Sequence, residues 1–136
     1  MKDFSTHWKA SKQPRKQRKY RYNAPLHIRH KLVSAHLDKS LRSEYKVRSM
    51  SLRKGDEVIV LRGQYRKRKG VVARVNLKKM KIFIDGLKRK KVSGQEVDVA
   101  IEPSNIMITK LNLDDKKRRK FIERKKVKEE KSGEKK

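Results

Sequence analysis

Apolar and polar positions alternate most regularly in the middle of the chain. Val58 and Val60 alternate with Glu57, Ile59 and Leu61; Val71, Ala73 and Val75 alternate around Arg74; Ile82 and Ile84 flank Phe83. Val97, Val99 and Ile101 alternate strictly with Asp98, Ala100 and Glu102, and Ile106 and Ile108 follow Pro103-Ser104-Asn105. A period of two marks strands with one buried face, so this stretch predicts five short strands. Turn formers separate them: Gly63, Gly70, Asn76 to Lys79, Asp85-Gly86 and Ser93-Gly94. Short strands joined by tight turns close into a small barrel, which removes most exposed edges. A unit of about 60 residues buries only roughly 60% of its unfolded surface, so flanking segments or a partner must help hold it.

The period changes outside this stretch. Tyr22-Asn23-Ala24-Pro25 predicts a helix entry, with Asn23 as N-cap and Pro25 in the first turn, and Ile28, Leu32 and Ala35 then share one face. Asp38 caps a second short helix through about Tyr45, in which Leu41 and Tyr45 stand four apart. Asp114-Asp115 opens a C-terminal helix, where negative charge suits the helix dipole. Its helical stretch has only Phe121, Ile122 and Val127 as apolar residues, so it is expected to pack against little, and disorder is expected from Ser132 on. The expected layout is a basic N-terminal extension (1–22), short helices (23–50), a mainly β barrel (51–113) and a charged helical and disordered tail (114–136).

Charge changes the picture from fold to function. The 136 residues contain 42 Lys and Arg against 15 Asp and Glu, a net charge of +27, with no Cys. Residues 1–50 carry +11, residues 51–110 carry +10 and residues 111–136 carry +6. With 34% apolar and 42% charged residues the chain supports one small core. Such self-repulsion costs stability unless a polyanion neutralises it, which makes nucleic acid the expected partner. An anionic membrane is the competitor. The longest apolar run, Val58 to Leu61, is far short of the ~20 residues that span a bilayer, so membrane insertion is not expected. The start, Met1-Lys2-Asp3-Phe4, leads into basic sequence, and no signal peptide is expected. The absence of Cys excludes disulfide frameworks, thiol catalysis and iron–sulfur ligation, and fits a reducing compartment.

Three basic clusters are candidate RNA-binding elements. In the first, Arg62, Gln64, Tyr65, Arg66, Lys67, Arg68 and Lys69 lie around and between Gly63 and Gly70, so a hairpin tip presents four consecutive cations beside an aromatic ring. The glycines let the backbone turn and approach closely, the cations neutralise phosphates, and Tyr65 offers a face to a base. In the second, Lys12, Arg15, Lys16, Arg18, Lys19 and Arg21 interleave with Tyr20 and Tyr22, as in a tail that threads along RNA. The third is Lys88, Arg89, Lys90 and Lys91, a further face of the same footprint. Arg29, Lys31, Arg48, Arg53 and Lys54 complete the candidate set.

The segment from Lys54 to Val75 resembles the KOW motif: Gly55-Asp56, alternating Val58 and Val60, Gly63, a basic turn, Lys69-Gly70, then Val72 and Val75. The flanks narrow the resemblance. Ser11 to Lys19, Tyr22 to His27, Val47-Arg48-Ser49-Met50 and Pro103-Ser104-Asn105 are similar to the archaeal and eukaryotic form of universal large-subunit ribosomal protein twenty-four, numbered twenty-six in eukaryotes. The resemblance runs from about Ser11 to Lys126. It implies an SH3-like barrel with extensions at both ends, contact with the 5′ part of large-subunit rRNA, and a role early in subunit assembly. It also implies a cytoplasmic, ribosomal location near the polypeptide exit tunnel, beside other large-subunit proteins and exit-tunnel factors. One departure stands out: Lys67 occupies the middle of the basic turn, where this family often has Gly. The seven-residue step from Gly63 to Gly70 is nearer to archaeal members.

Enzyme chemistry finds no support in the residues, and no cofactor is expected. His27 and His30 are three apart on a presumed helix, but no Cys or nearby carboxylate completes a metal site. Asp56 and Glu57, adjacent on a strand, point to opposite faces and cannot share a substrate. The Gly63–Gly70 loop is not a Walker loop, because no Ser or Thr follows its Lys-Gly. Ser11, Ser34 and Ser49 have no motif context. The remaining alternative is a KOW-domain transcription or translation factor that binds RNA polymerase or the ribosome, which would have a less basic barrel and usually a second folded domain. If the tip is what RNA reads, changing Arg66, Lys67, Arg68 and Lys69 together to Ala weakens incorporation into large subunits more than the same change at Lys125, Lys126, Lys128 and Lys131. Equal losses in a reconstitution assay would show that only the number of charges matters.

Overall fold

The structure, a computed structural model, describes residues 4–133, with side chains described through Lys125. Pro14 sits in the first turn of α1 (Pro14–Asn23), where its missing N–H is not needed. That helix stops at Ala24, because a residue before proline disfavours the helical conformation. Pro25 then serves as N-cap of α2 (Leu26–Leu32). Asn23 therefore ends one helix, where the sequence pattern had it starting the next. The chain leaves α2 at Val33 and extends into β1 (Ser34–Leu37), so Ala35 lies on a strand and not on the expected helical face. Asp38 caps α3 (Lys39–Tyr45), accepting from the Lys39 N–H at 2.7 Å, and Lys46 closes that helix in the left-handed conformation (φ 52°).

The remaining strands are β2 (Ser49–Ser51), β3 (Glu57–Val60), β4 (Lys69–Asn76), β5 (Lys81–Ile84), β6 (Lys88–Lys90), β7 (Glu96–Asp98) and β8 (Ile106–Lys110). Six of the eight form a sheet in the order β2-β1-β8-β3-β4-β5. All its pairings are antiparallel except β1 with β8. β6 and β7 form a separate hairpin. Ile82 on β5 bridges Ile101, and a short 3-10 turn at Pro103–Asn105 leads from there into β8, which brings the sheet round on itself. The result is mainly β with short N-terminal helices, in keeping with a small SH3-like fold.

Strand alternation places the core. Val58 and Val60 of β3, Ile82 and Ile84 of β5, and Ile106 and Ile108 of β8 point inward and are buried, joined by Leu37, Leu52 and Val72. The pattern missed β1 and β2, strands of four and three residues. β1 forms because it pairs with β8, about seventy residues away, a long-range contact that a local period cannot register. It also missed β6, whose three basic residues are all exposed. The expected strand Val97–Ile101 is shorter: β7 ends at Asp98, and Ile101 keeps one bridge to β5.

The C-terminal helix α4 (Lys116–Gly133) corrects a further expectation, since it packs against the barrel. Ile122 is buried in the core, and Arg118, 5% exposed, reaches Asp56, 0% exposed. The guanidinium meets that carboxylate with two parallel bonds, Nη1 to Oδ1 at 2.6 Å and Nη2 to Oδ2 at 2.8 Å. Its other donors go to the Asn112 carbonyl (2.8 Å), the Ser51 carbonyl (3.1 Å) and the Met50 sulfur (3.3 Å). The Arg53 and Asn112 N–H groups donate to the two carboxylate oxygens at 2.9 and 3.0 Å. All five Arg118 donors are thereby used, the condition under which a buried pair is tolerated. Ser132 and Gly133, expected to be disordered, fall within α4; the rest of that expectation, residues 134–136, lies outside the described residues, as do residues 1–3. Removing one partner leaves a buried charge unpaired, so Arg118→Ala lowers stability by about 3 to 5 kcal/mol. Urea denaturation checks this, and a loss below about 1 kcal/mol would contradict the role given to the pair.

Candidate nucleic-acid interface

The β3–β4 loop is a structured tip. The Val60 carbonyl accepts the Lys67 N–H at 2.7 Å, and the Val60 N–H donates to the Arg68 carbonyl at 2.9 Å. Within that frame the Arg66 N–H reaches the Gly63 carbonyl (3.1 Å) and the Arg68 N–H the Tyr65 carbonyl (3.1 Å). Gly63 has φ 93° and Lys67 φ 67°. The middle of the turn thus takes a left-handed residue, a conformation that suits glycine and that Lys67 adopts under strain. Arg66, Lys67, Arg68 and Lys69 are exposed, and none forms an ion pair among the described residues.

Tyr65 differs from the sequence expectation. Its ring is half-buried against the core, Arg68 lies over it at 5.7 Å, and its hydroxyl reaches the Lys88 carbonyl at 3.5 Å. The hydroxyl thus reaches β6, whose Lys88, Arg89 and Lys90 are all exposed. Lys88 is partly offset by Glu96 at 3.4 Å, and the Lys91 ammonium donates to the Gln95 side-chain carbonyl at 3.4 Å. Arg62, Gln64, Arg89 and Lys90 are exposed beside them.

The N-terminal cluster is folded, where a threading tail was expected. A 3-10 turn (Thr6–Ala10) packs on α1: the Phe4 and Tyr20 rings lie 4.9 Å apart, and the Lys19 ammonium sits 5.0 Å from the Trp8 ring centre. Tyr20 is accordingly 9% exposed and anchors α1, whereas Tyr22, 80% exposed, presents an open ring, and Lys12, Arg15, Arg18 and Arg21 are exposed as well. Lys16 and Lys19 are half-buried. Phe4 and Trp8 were not singled out from sequence, because two isolated aromatics carry no period.

The dispersed candidates divide in two. Lys31, Arg48 and Lys54 are exposed. Arg29 and Arg53 serve the fold. Arg29 donates to the carbonyls of Tyr22, Ala24 (2.8 Å) and Lys78 (2.5 Å), pinning the α1–α2 junction to the β4–β5 turn. Arg53 pairs with Asp115 near the start of α4. The Lys117 N–H and then Arg53 hold the Asp115 carboxyl below its ordinary range. Similarly, Lys81 bonds Glu102 at 2.6 Å and lowers its pKa. Among the described residues no cluster of three metal-ligating side chains forms, and no helix is long and apolar enough to cross a membrane. The tip, the adjoining hairpin and the N-terminal helix thus present exposed cations, an arrangement whose chemistry suits a polyanion.

Comparison with known proteins is specific. Residues 11–125 match the family of ribosomal proteins described as L26 in eukaryotes and L24 in archaea. The chain is 49% identical over 120 residues to a protein of Korarchaeum cryptofilum named large ribosomal subunit protein uL24, covering 88% of this chain and 92% of that one. It is 50% identical over 114 residues to the proteins of that name from Methanothrix thermoacetophila and Methanosarcina barkeri, covering 84% of this chain and 98% of each. The chain belongs to this ribosomal protein family, which is not a family of enzymes. Because Lys67 holds a left-handed turn at a cost of about 1 to 2 kcal/mol, Lys67→Gly raises stability by about 1 kcal/mol despite the greater freedom of glycine when unfolded. Thermal unfolding measures it, and a fall would mean that the Lys67 side chain itself holds the tip.

Proposed function

We propose that the protein is a structural constituent of the large ribosomal subunit that binds the 5′ region of large-subunit rRNA and supports early subunit assembly. In this reading it sits near the polypeptide exit tunnel, beside neighbouring large-subunit proteins and within reach of exit-tunnel factors. The observation that carries it is the exposed, unpaired run Arg66–Lys69 on a structured tip, in a chain about half identical to proteins named for the large subunit. The tip, β6 and the outer face of α1 supply phosphate contacts, with Tyr22 as the open aromatic ring among them. Recognition by shape and backbone charge suits folded RNA, whose deep major groove hides the base edges.

Tyr20 and Arg29 support this surface from within, keeping α1 in place through the packing and hydrogen bonds described above, while Arg53 holds the start of α4. A footprint of ~10 phosphates gives a slope of log K on log[salt] of about −7 to −9. Titration of the full chain on a large-subunit rRNA fragment at several salt concentrations reads this slope. A value near −2 would overturn the reading.

A further inference from the structure

An open cleft of about 680 Å3 lies between α2, β2 and α4, away from the β3–β4 tip. Its size falls in the range of clefts that hold one small ligand. The lining combines three chemistries. Phe121, 39% exposed, brings an aromatic ring to the cleft, with the Lys125 ammonium 6.0 Å from the ring centre, and the buried Met50 lines it too. Ser34, Ser49 and Ser51 form a wall of hydroxyls; Ser34 and Ser51 stand directly opposite each other in the β1–β2 register. Among the described residues none of these three hydroxyls is hydrogen-bonded. Lys31, Lys117 and Arg124 add positive charge, and no acidic side chain among the described residues lines the cleft. The two further arginines there, Arg53 and Arg118, are held by Asp115 and Asp56. His30, also in the lining, has its pKa lowered by burial and then by Arg53 and Arg118, which favours its neutral form.

A double helix answers only part of this arrangement. Its phosphates satisfy the cations, but its bases are stacked inside and leave the ring and the hydroxyls without partners. A nucleotide out of the stack meets all three groups: its base lies on Phe121, its base edge or 2′-hydroxyl meets the serines, and its flanking phosphates meet Lys31, Lys117 and Arg124. Unpaired bases splayed onto aromatic rings are the usual way in which proteins read RNA sequence. We propose that this cleft receives one unpaired nucleotide of the bound RNA. This rests on the rRNA reading above and deepens it: the tip reads backbone charge, and the cleft reads a single base.

The test uses the full chain with deproteinised archaeal large-subunit rRNA, measuring affinity against salt and probing base reactivity with and without protein. Phe121→Leu should weaken binding about tenfold with the salt slope unchanged. One or a few unpaired bases shielded by the unaltered chain should become reactive again. Lys117→Gln and Arg124→Gln should instead each flatten the slope by about 0.7. Should Phe121→Leu fail to fold by circular dichroism, Ser51→Ala and ultraviolet crosslinking of the unaltered chain decide. A nucleotide adduct on residues 121–124 supports the cleft, and an unchanged Ser51→Ala footprint with no adduct there overturns it. Unchanged affinity and footprint for a folded Phe121→Leu, or a crosslink from Phe121 to another protein in intact subunits, also overturn it. Failure of the unaltered chain to bind the rRNA strikes the rRNA reading itself, an outcome distinct from intact binding that ignores Phe121.

Discussion

The Asp56–Arg118 pair sits where the barrel and the C-terminal helix meet, and the surrounding geometry is arranged to make it affordable. Burying two charges is costly unless every donor and lone pair finds a partner. Here the Arg53 and Asn112 N–H groups, the Ser51 and Asn112 carbonyls and the Met50 sulfur complete the shell. The pair therefore fixes the β2–β3 connection, the stretch after β8 and the first turns of α4 at once. Arg118 is held one turn before Ile122, which enters the core. Gly55, with φ 88°, lets the backbone pass beside Asn112 at this point, where a β-carbon would come within 2.8 Å of its side-chain nitrogen.

Several of the scarce acidic groups are tied up within the molecule. Asp56 is paired in the interior, Asp38 caps α3, Asp115 accepts the Lys117 N–H and holds Arg53, and Glu102, Glu96 and Glu57 each pair with a lysine across strands or turns. The surplus cations remain outward. In these pairs the anions serve structure, while the exposed run Arg66–Lys69 keeps its charge unpaired. Surface pairs such as Lys110 with Glu57 add little stability individually, so their value lies in where they leave no charge to spare.

Much of this was legible in the residues. Alternation located β3, β5 and β8 because their inward residues repeat every second position; in β4 it found the strand but not its face, because Val72 is the buried residue, Val71 is 39% exposed, and the register shifts between Val72 and Arg74. Asp38 was recognisable as a cap because its chemistry is local. The spacing of Gly63 and Gly70 marked the cationic tip. What escaped was non-local: β1 depends on β8, α4 docks through a charged residue that reads as solvated, and Arg29 and Tyr20 are claimed by carbonyls and rings distant in sequence. The Phe121 cleft was invisible for the same reason, since its parts come from α2, two short strands and α4. Charge runs announce a partner, but only the fold decides which cations are free to meet it.

The parallel pairing of β1 with β8 also bears on how the chain matures during synthesis. β1 is made early, yet its neighbour in the sheet emerges about seventy residues later, and the partner of Asp56 follows 62 residues after it. Until then the N-terminal half has an unfilled sheet edge, a carboxylate without its guanidinium and a dense positive charge. Folding dominated by such long-range contacts is slow, and loop-closure entropy must be overcome before they form. The nascent chain therefore remains open and cationic through most of translation, able to engage a polyanion before its own core has closed.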